Sequence, residues 1–152
     1  MPPLPEHPDS GALYRAIVEQ AHEAIIFIDC DGVVGLWNHG AEALFGFGAD
    51  EVMGHNIDII IPERFRRAHA LGFGRAVSTG KTRLGGQVLT TRANHKSGQK
   101  LYVDMSFGLV KDGERVLGAF AVARDGTARY QEEAARRAAA AGQAAPAKLP
   151  SA

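Results

Sequence analysis

The chain has 152 residues, 45% of them apolar, and its 17 basic residues are balanced by 17 acidic ones. That is enough for one domain with a real core, and it leaves no net charge to draw the protein onto nucleic acid or an anionic membrane. Cys30 stands alone, which excludes an intramolecular disulfide and a cysteine-built zinc site, and no apolar run approaches the ~20 residues that span a bilayer; no leader pattern opens the chain, so a cytoplasmic protein is expected.

In chain order, residues 1–11 are Pro-rich and polar and predict a disordered lead. Leu13, Ala16 and Ile17 recur at helical spacing, which predicts a flanking helix within 12–23, running over 12–20. Its apolar stripe has little of its own chain to cover it, so a second copy or the outer face of a sheet is its expected partner. The body of the fold is expected over 24–127. Ala24 to Asp29 is rich in β-branched and aromatic residues, Asp31-Gly32 is hairpin chemistry, and Val33 to Trp37 is a second strand. Asn38 caps a short helix through Phe45, and Asp50-Glu51 opens another turn ending at Gly54.

Pro62 suits the first turn of a helix, and Gly80 its end, so a helix is predicted over 62–79. Three strands are predicted at 82–93, 99–111 and 114–124, separated by Lys96-Ser97-Gly98 and Lys111-Asp112-Gly113. From Ala128 the composition is helix-forming to about 140, and 141–152 is Ala/Gly/Pro low complexity expected to be disordered. Two strands, small helices, then three strands make an α+β layout, a five-stranded antiparallel sheet with helices on one face and room for a cavity between the layers.

With these elements laid out, the chain resembles the PAS sensory family. The likeness rests on the Ala24–Asp29 strand, Asp31-Gly32, Trp37-Asn38 entering a helix with Ala41-Glu42 and Leu44-Phe45-Gly46, Glu51-Val52-Met53-Gly54, the Lys96-Ser97-Gly98 turn and Arg124-Asp125-Gly126-Thr127. It covers residues 12–127 and implies a PAS fold with sheet order 2-1-5-4-3. Members range from empty scaffolds to haem, flavin and metabolite receptors, so membership alone does not assign a function.

Within the family, Ile61-Pro62-Glu63-Arg64-Phe65-Arg66-Arg67-Ala68-His69 resembles the proximal helix of the haem-binding PAS oxygen sensors of nitrogen-fixation sensor kinases and direct-oxygen-sensing phosphodiesterases. The resemblance implies b-type haem with His69 as the axial ligand to iron. The residue pattern agrees: Phe65, His69, Gly72, Phe73 and Ala76 share one helical stripe. Gly72 leaves space for a flat macrocycle, and Arg66, Arg67 and Arg75 are candidates to pair with propionates. The competing reading is a partly buried His69 tied to a backbone carbonyl. His55 is a second candidate iron ligand, at the position used by a different group of haem PAS domains, those of chemoreceptors.

There are also departures from that pattern. The arginine that the oxygen sensors place on the distal side falls on Leu89, and Gln87, two residues away on the predicted strand, stands where the phosphodiesterase relatives carry a methionine. A distal pocket of Leu84, Leu89, Leu101 or Val103, Met105 and Phe107 is apolar, which suits carbon monoxide or nitric oxide, or oxygen held weakly through Gln87. Cys30 lacks the Asn-Cys-Arg-Phe-Leu setting of flavin photochemistry, and no nucleophile has a matching base, so an enzyme is not expected.

The function expected is a sensory domain in which a diatomic ligand (O2, CO or NO) or the redox state of a haem iron changes conformation or dimerisation. The alternative is a cofactor-free or metabolite-binding interaction module. A homodimer is expected, with a signalling partner in trans or an output domain elsewhere in a larger sensor, and neither nucleic acid nor a membrane as partner.

Overall fold

The computed structural model describes residues 9–83 and 85–144. Its elements are α1 (Ser10–Gln20), β1 (Ala24–Asp29), β2 (Val34–Trp37), α2 (His39–Phe45), α3 (Ala49–Val52), a 3-10 turn (Ile57–Ile60), α4 (Glu63–Thr79), β3 (Leu89–Asn94), β4 (Lys100–Asp112), β5 (Arg115–Asp125) and α5 (Thr127–Ala144). The strands form one antiparallel sheet of order β2-β1-β5-β4-β3, the order the PAS resemblance implies.

Local chemistry sets the first half. The Asp29 carboxylate accepts from the backbone N–H groups of Asp31 (2.9 Å) and Val33 (3.0 Å), and Gly32 supplies the positive φ of 81° that turns β1 into β2. Asn38 is buried and fully used. Its Oδ1 accepts from Ala41 N at 2.9 Å, capping α2, and from Ile25 N at 2.8 Å; its Nδ2 donates to Val18 O at 2.8 Å and Glu23 O at 3.0 Å. One side chain thus ties α1, β1 and α2 together. Trp37 donates its indole N–H to Phe47 O at 2.9 Å and packs its ring 5.2 Å from that of Phe45.

The core lies on one face of the sheet. Ala24, Ile26 and Ile28 of β1, Leu101, Val103 and Met105 of β4, and Ala123 of β5 are buried there under Ala41, Phe45, Val52, Ile57 and Ile60. On the other face α5 begins its run: the Tyr102 and Tyr130 rings stack with centroids 3.7 Å apart, and Arg129 pairs with Asp104 beside Thr90.

Several boundaries differ from those the sequence pattern predicts. The strand predicted from 82 pairs with β4 only from Leu89, because Gly85 and Gly86 both adopt positive φ, 51° and 81°, and break the extended chain before it reaches the sheet. Gln87 is therefore off the strand and exposed, and does not share a strand face with Leu89. Ile57–Ile60 winds as a 3-10 turn capped by Asn56, and Pro62 caps α4 from outside instead of entering its first turn. α1 starts at Ser10, inside the predicted lead, and α5 starts at Thr127 and continues to Ala144, past the predicted end at 140, since the alanines at 138–141 are strong helix formers. The remainder of the predicted lead and tail, 1–8 and 145–152, and Leu84 lie outside the described residues.

Candidate functional site

Two features of the sequence leave a gap between α4 and the sheet. The inward positions of β5 are Ala119, Ala121 and Ala123, side chains too short to fill the layer, and α4, although 17 residues long, has no buried residue. Between them is a cavity of about 280 Å³, walled by Ile26 and Ile28 of β1, Ile57, Ile60 and Ile61 of the turn before α4, Met105 and Phe107 of β4, and the alanines of β5. Phe65, Ala68 and His69 face it from α4, and Thr91, Arg92 and Ala93 close it at β3.

His69 is half-buried and its ring lies nearly parallel to that of Phe73, one turn on. Burial among apolar side chains lowers its pKa below the ordinary histidine value, an effect partly opposed by the nearby Asp58 carboxylate. Among the described residues no backbone carbonyl is hydrogen-bonded to the ring. A neutral imidazole with a free lone pair faces an apolar cavity.

Of the other residues singled out in the sequence, Phe65, Met105 and Phe107 line the same cavity. Leu101 and Val103 are buried on the same face of β4 but are taken up by the core. Leu89 pairs with Met105 on the inward face, at the end of the edge strand, and is 37% exposed. Phe73 packs on the core beside His69, and Gly72 is exposed with open space where a Cβ would stand. The α4 arginines are not brought to the cavity: Arg66 Nε donates to Ile61 O at 2.9 Å, and neither Arg66, Arg67 nor Arg75 lines the walls. His55 sits in an exposed loop, its backbone joining Val52 and Val34, away from these walls. Among the described residues no three His, Cys, Asp or Glu side chains gather to hold a metal ion.

The alanine triplet of β5 and Arg92 are the site residues that the sequence did not disclose as such. Alternating alanines in a buried strand are a readable sign of missing volume; nothing in the sequence marks Arg92. A larger cleft of about 460 Å³ opens at the other end of the sheet, beside His22, Glu23, Lys100, Arg124 and Asp125. Its Glu23 and Arg124 are exposed and already paired with each other at 2.9 Å, and no group there is buried and unpartnered, so the α4 cavity is the better candidate.

A family model described as PAS fold matches residues 12–126. The sensor protein FixL of Bradyrhizobium diazoefficiens is 36% identical over 85 residues, 47% of this chain and 17% of its own length. The oxygen sensor protein DosP of Escherichia coli is 29% identical over 100 residues, 66% of this chain and 12% of its own length. The chain thus spans less than a fifth of the curated relatives it matches. Among solved structures, an RNA-binding light-oxygen-voltage receptor superposes with a TM-score of 0.70 at 21% identity over 94% of this chain and 41% of that one, a likeness of fold alone. No helix among the described residues is long and apolar enough to cross a membrane.

Proposed function

The chain belongs to the PAS family of sensory domains, and we propose that it is a cytoplasmic sensor that binds b-type haem through His69 and reports a diatomic gas, O2, CO or NO, or the redox state of the iron. The observation that carries this reading is His69 itself, half-buried, free of hydrogen bonds, held toward the neutral form and facing an apolar cavity. The likeness to an oxygen sensor protein supports it.

The residues present suit the group. An imidazole lone pair is a standard ligand to haem iron, the isoleucines and alanines of the walls match an apolar macrocycle, and Met105 and Phe107 keep the β4 wall free of competing ligands stronger than a thioether. At about 280 Å³ the cavity is smaller than the ~300–1,000 Å³ usual for ligand sites, so a macrocycle would need a wall to stand further off, and α4, with no buried residue, is the wall that loses least by it. When bound, the haem would supply an iron with a coordination position open to a diatomic gas. The protein's part is to present the His69 lone pair, brace the ring with Phe73, and exclude water through the β1 and β5 walls. The α4 helix joined to His69 and the sheet joined to α5 through Tyr102 and Tyr130 give a path for a change at the site to reach the surface. The readout is a conformational or dimer change passed to a partner in trans or to an output domain of a longer protein.

Adding haemin to the purified chain and following the Soret band tests this. Binding with one equivalent and its loss in His69→Ala support it, whereas binding that His69→Ala leaves unchanged, or no binding, sinks it. The cavity volume favours one second reading, a PAS interaction module that takes a smaller metabolite, and that protein would stay colourless.

A further inference from the structure

Residues 63–83 hold six of the chain's 17 basic residues and one of its 17 acidic ones. A protein without net charge thus gathers positive charge on α4 and the loop that follows it. On α4, Arg64, Arg67, Leu71 and Arg75 fall on one stripe at i, i+3, i+7 and i+11, and all four are exposed. Helical geometry sets this stripe opposite His69 and Phe73, the residues turned to the cavity and the core.

Pairing distinguishes this face from an ordinary solvated one. The other arginine-rich helix, α5, is exposed as well, but its Arg129 and Arg136 meet Glu133 and Glu132 at 2.9 Å. No ion pair among the described residues includes an arginine of α4, and Glu63, one turn before Arg67, forms none with it. Arg64 and Arg67, three residues apart, repel each other with no acid to offset them. Leu71 stands between Arg67 and Arg75, one turn from each, and is 57% exposed. Beside it Gly74 is exposed, with nothing within 4 Å of where a Cβ would stand. An apolar anchor rimmed by unpaired guanidiniums, with bare backbone alongside, has the anatomy of a contact surface.

We propose that this face of α4 docks an acidic amphipathic helix of a partner protein, which lays an apolar side chain against Leu71 and sets carboxylates one turn to either side, on Arg67 and Arg75. Spacing carries the choice of a helix: groups at one-turn intervals on α4 are met by groups at one-turn intervals on the partner, and Gly74 lets the two backbones approach. Carboxylates match the guanidinium forks. A nucleic-acid backbone would leave Leu71 unburied, and a single leucine gives a lipid surface little to take in. The proposal goes beyond the sensory reading and does not rest on haem. Since α4 walls the cavity whatever occupies it, a partner on its outer face is placed to read a shift of the helix.

The test titrates the purified full chain into labelled probes: a helical peptide with glutamate, leucine and glutamate one turn apart on one face, the same peptide with glutamine or with lysine for glutamate, a DNA duplex, and phosphatidylcholine vesicles containing phosphatidylserine. The wild type should prefer the glutamate peptide to the glutamine one by roughly fivefold or more. Arg67→Gln with Arg75→Gln should remove that preference at an unchanged melting temperature, and Leu71→Gln should weaken both peptides alike. Arg67→Glu with Arg75→Glu should turn the preference to the lysine peptide, an exchange that damage to the fold does not produce. Arg136→Gln with Arg137→Gln, which removes the same charge from α5, should change nothing. A wild type that binds the glutamate peptide no better than the glutamine one overturns the proposal, as does an equal effect of the α5 pair. Tighter binding of the duplex or the vesicles than of the glutamate peptide overturns it too, making the face a polyanion or membrane contact. Failure of both α4 double variants to fold does the same, since the arginines are then scaffold residues.

Discussion

The ring of Phe73 lies one helical turn beyond that of His69, with centroids 6.2 Å apart and planes 10° from parallel. Phe73 packs against the core, so the imidazole is braced along the helix and its nitrogens are left to the cavity and its mouth. This shelter controls its protonation. An unfolded histidine titrates near pH 6.5, and burial moves His69 lower in the folded chain. Between the two values the unfolded state binds more protons, so stability falls as pH drops below about 6.5 and levels off beneath the folded value. Urea midpoints of the ligand-free protein at pH 7.5, 6.0 and 5.0 should show that decline, and His69→Leu should remove this part of it. Asp58→Asn should steepen it, because the Asp58 carboxylate favours the charged ring.

Asn38→Ala removes the α2 cap and leaves Ile25 N, Val18 O and Glu23 O without their partner. With caps worth about 0.5–2 kcal/mol and each buried orphan group about 1–3 kcal/mol, a loss of roughly 3 kcal/mol in unfolding free energy is expected. A change below about 1 kcal/mol in denaturant titration contradicts this account of the node.

Gly40 and Gly72 should respond in opposite directions. A Cβ at Gly40 would stand 2.1 Å from Glu23 O, so Gly40→Ala must displace backbone and should cost about 2–3 kcal/mol or more. At Gly72 a Cβ meets nothing within 4 Å, and Gly72→Ala should stabilise α4 by about 0.5–1 kcal/mol. Thermal melts of the two variants decide it.

Tyr130→Ala should free the start of α5 from β4. The stack of Tyr102 on Tyr130 is worth about 1 kcal/mol beyond its buried area. Hydrogen exchange at the amides of α5 should rise while that of β1 and β2 stays slow; an unchanged pattern means the Arg129 contacts with Asp104 and Thr90 suffice to dock the helix.

Leu13, Tyr14 and Ile17 are 40%, 67% and 56% exposed on a helix that buries none of its residues, the stripe expected to meet a second copy. Deleting α1 would also remove Val18 O from Asn38, so point changes are the cleaner probe. Leu13→Glu with Ile17→Glu should convert a dimer to monomer in light scattering without lowering the melting temperature of the isolated fold. A wild type that is monomeric at high concentration ends the idea.

Where chemistry acts between near neighbours in the chain, the sequence was enough. The Asp29 to Gly32 turn, the Asn38 cap, the end of α4 at Gly80 and the inward alternation of β1 and β4 follow from side-chain geometry within a few residues. The family motifs implied the strand order as well, and they marked His69 as the residue to watch. Tertiary structure decided the rest, because a cavity is the difference between two surfaces that periodicity cannot measure. The alanines of β5 leave a hollow only because α4 spans it without filling it. Gln87 falls off the strand because two glycines break it first, and Arg66 is taken by Ile61 O, a carbonyl just beyond the start of α4.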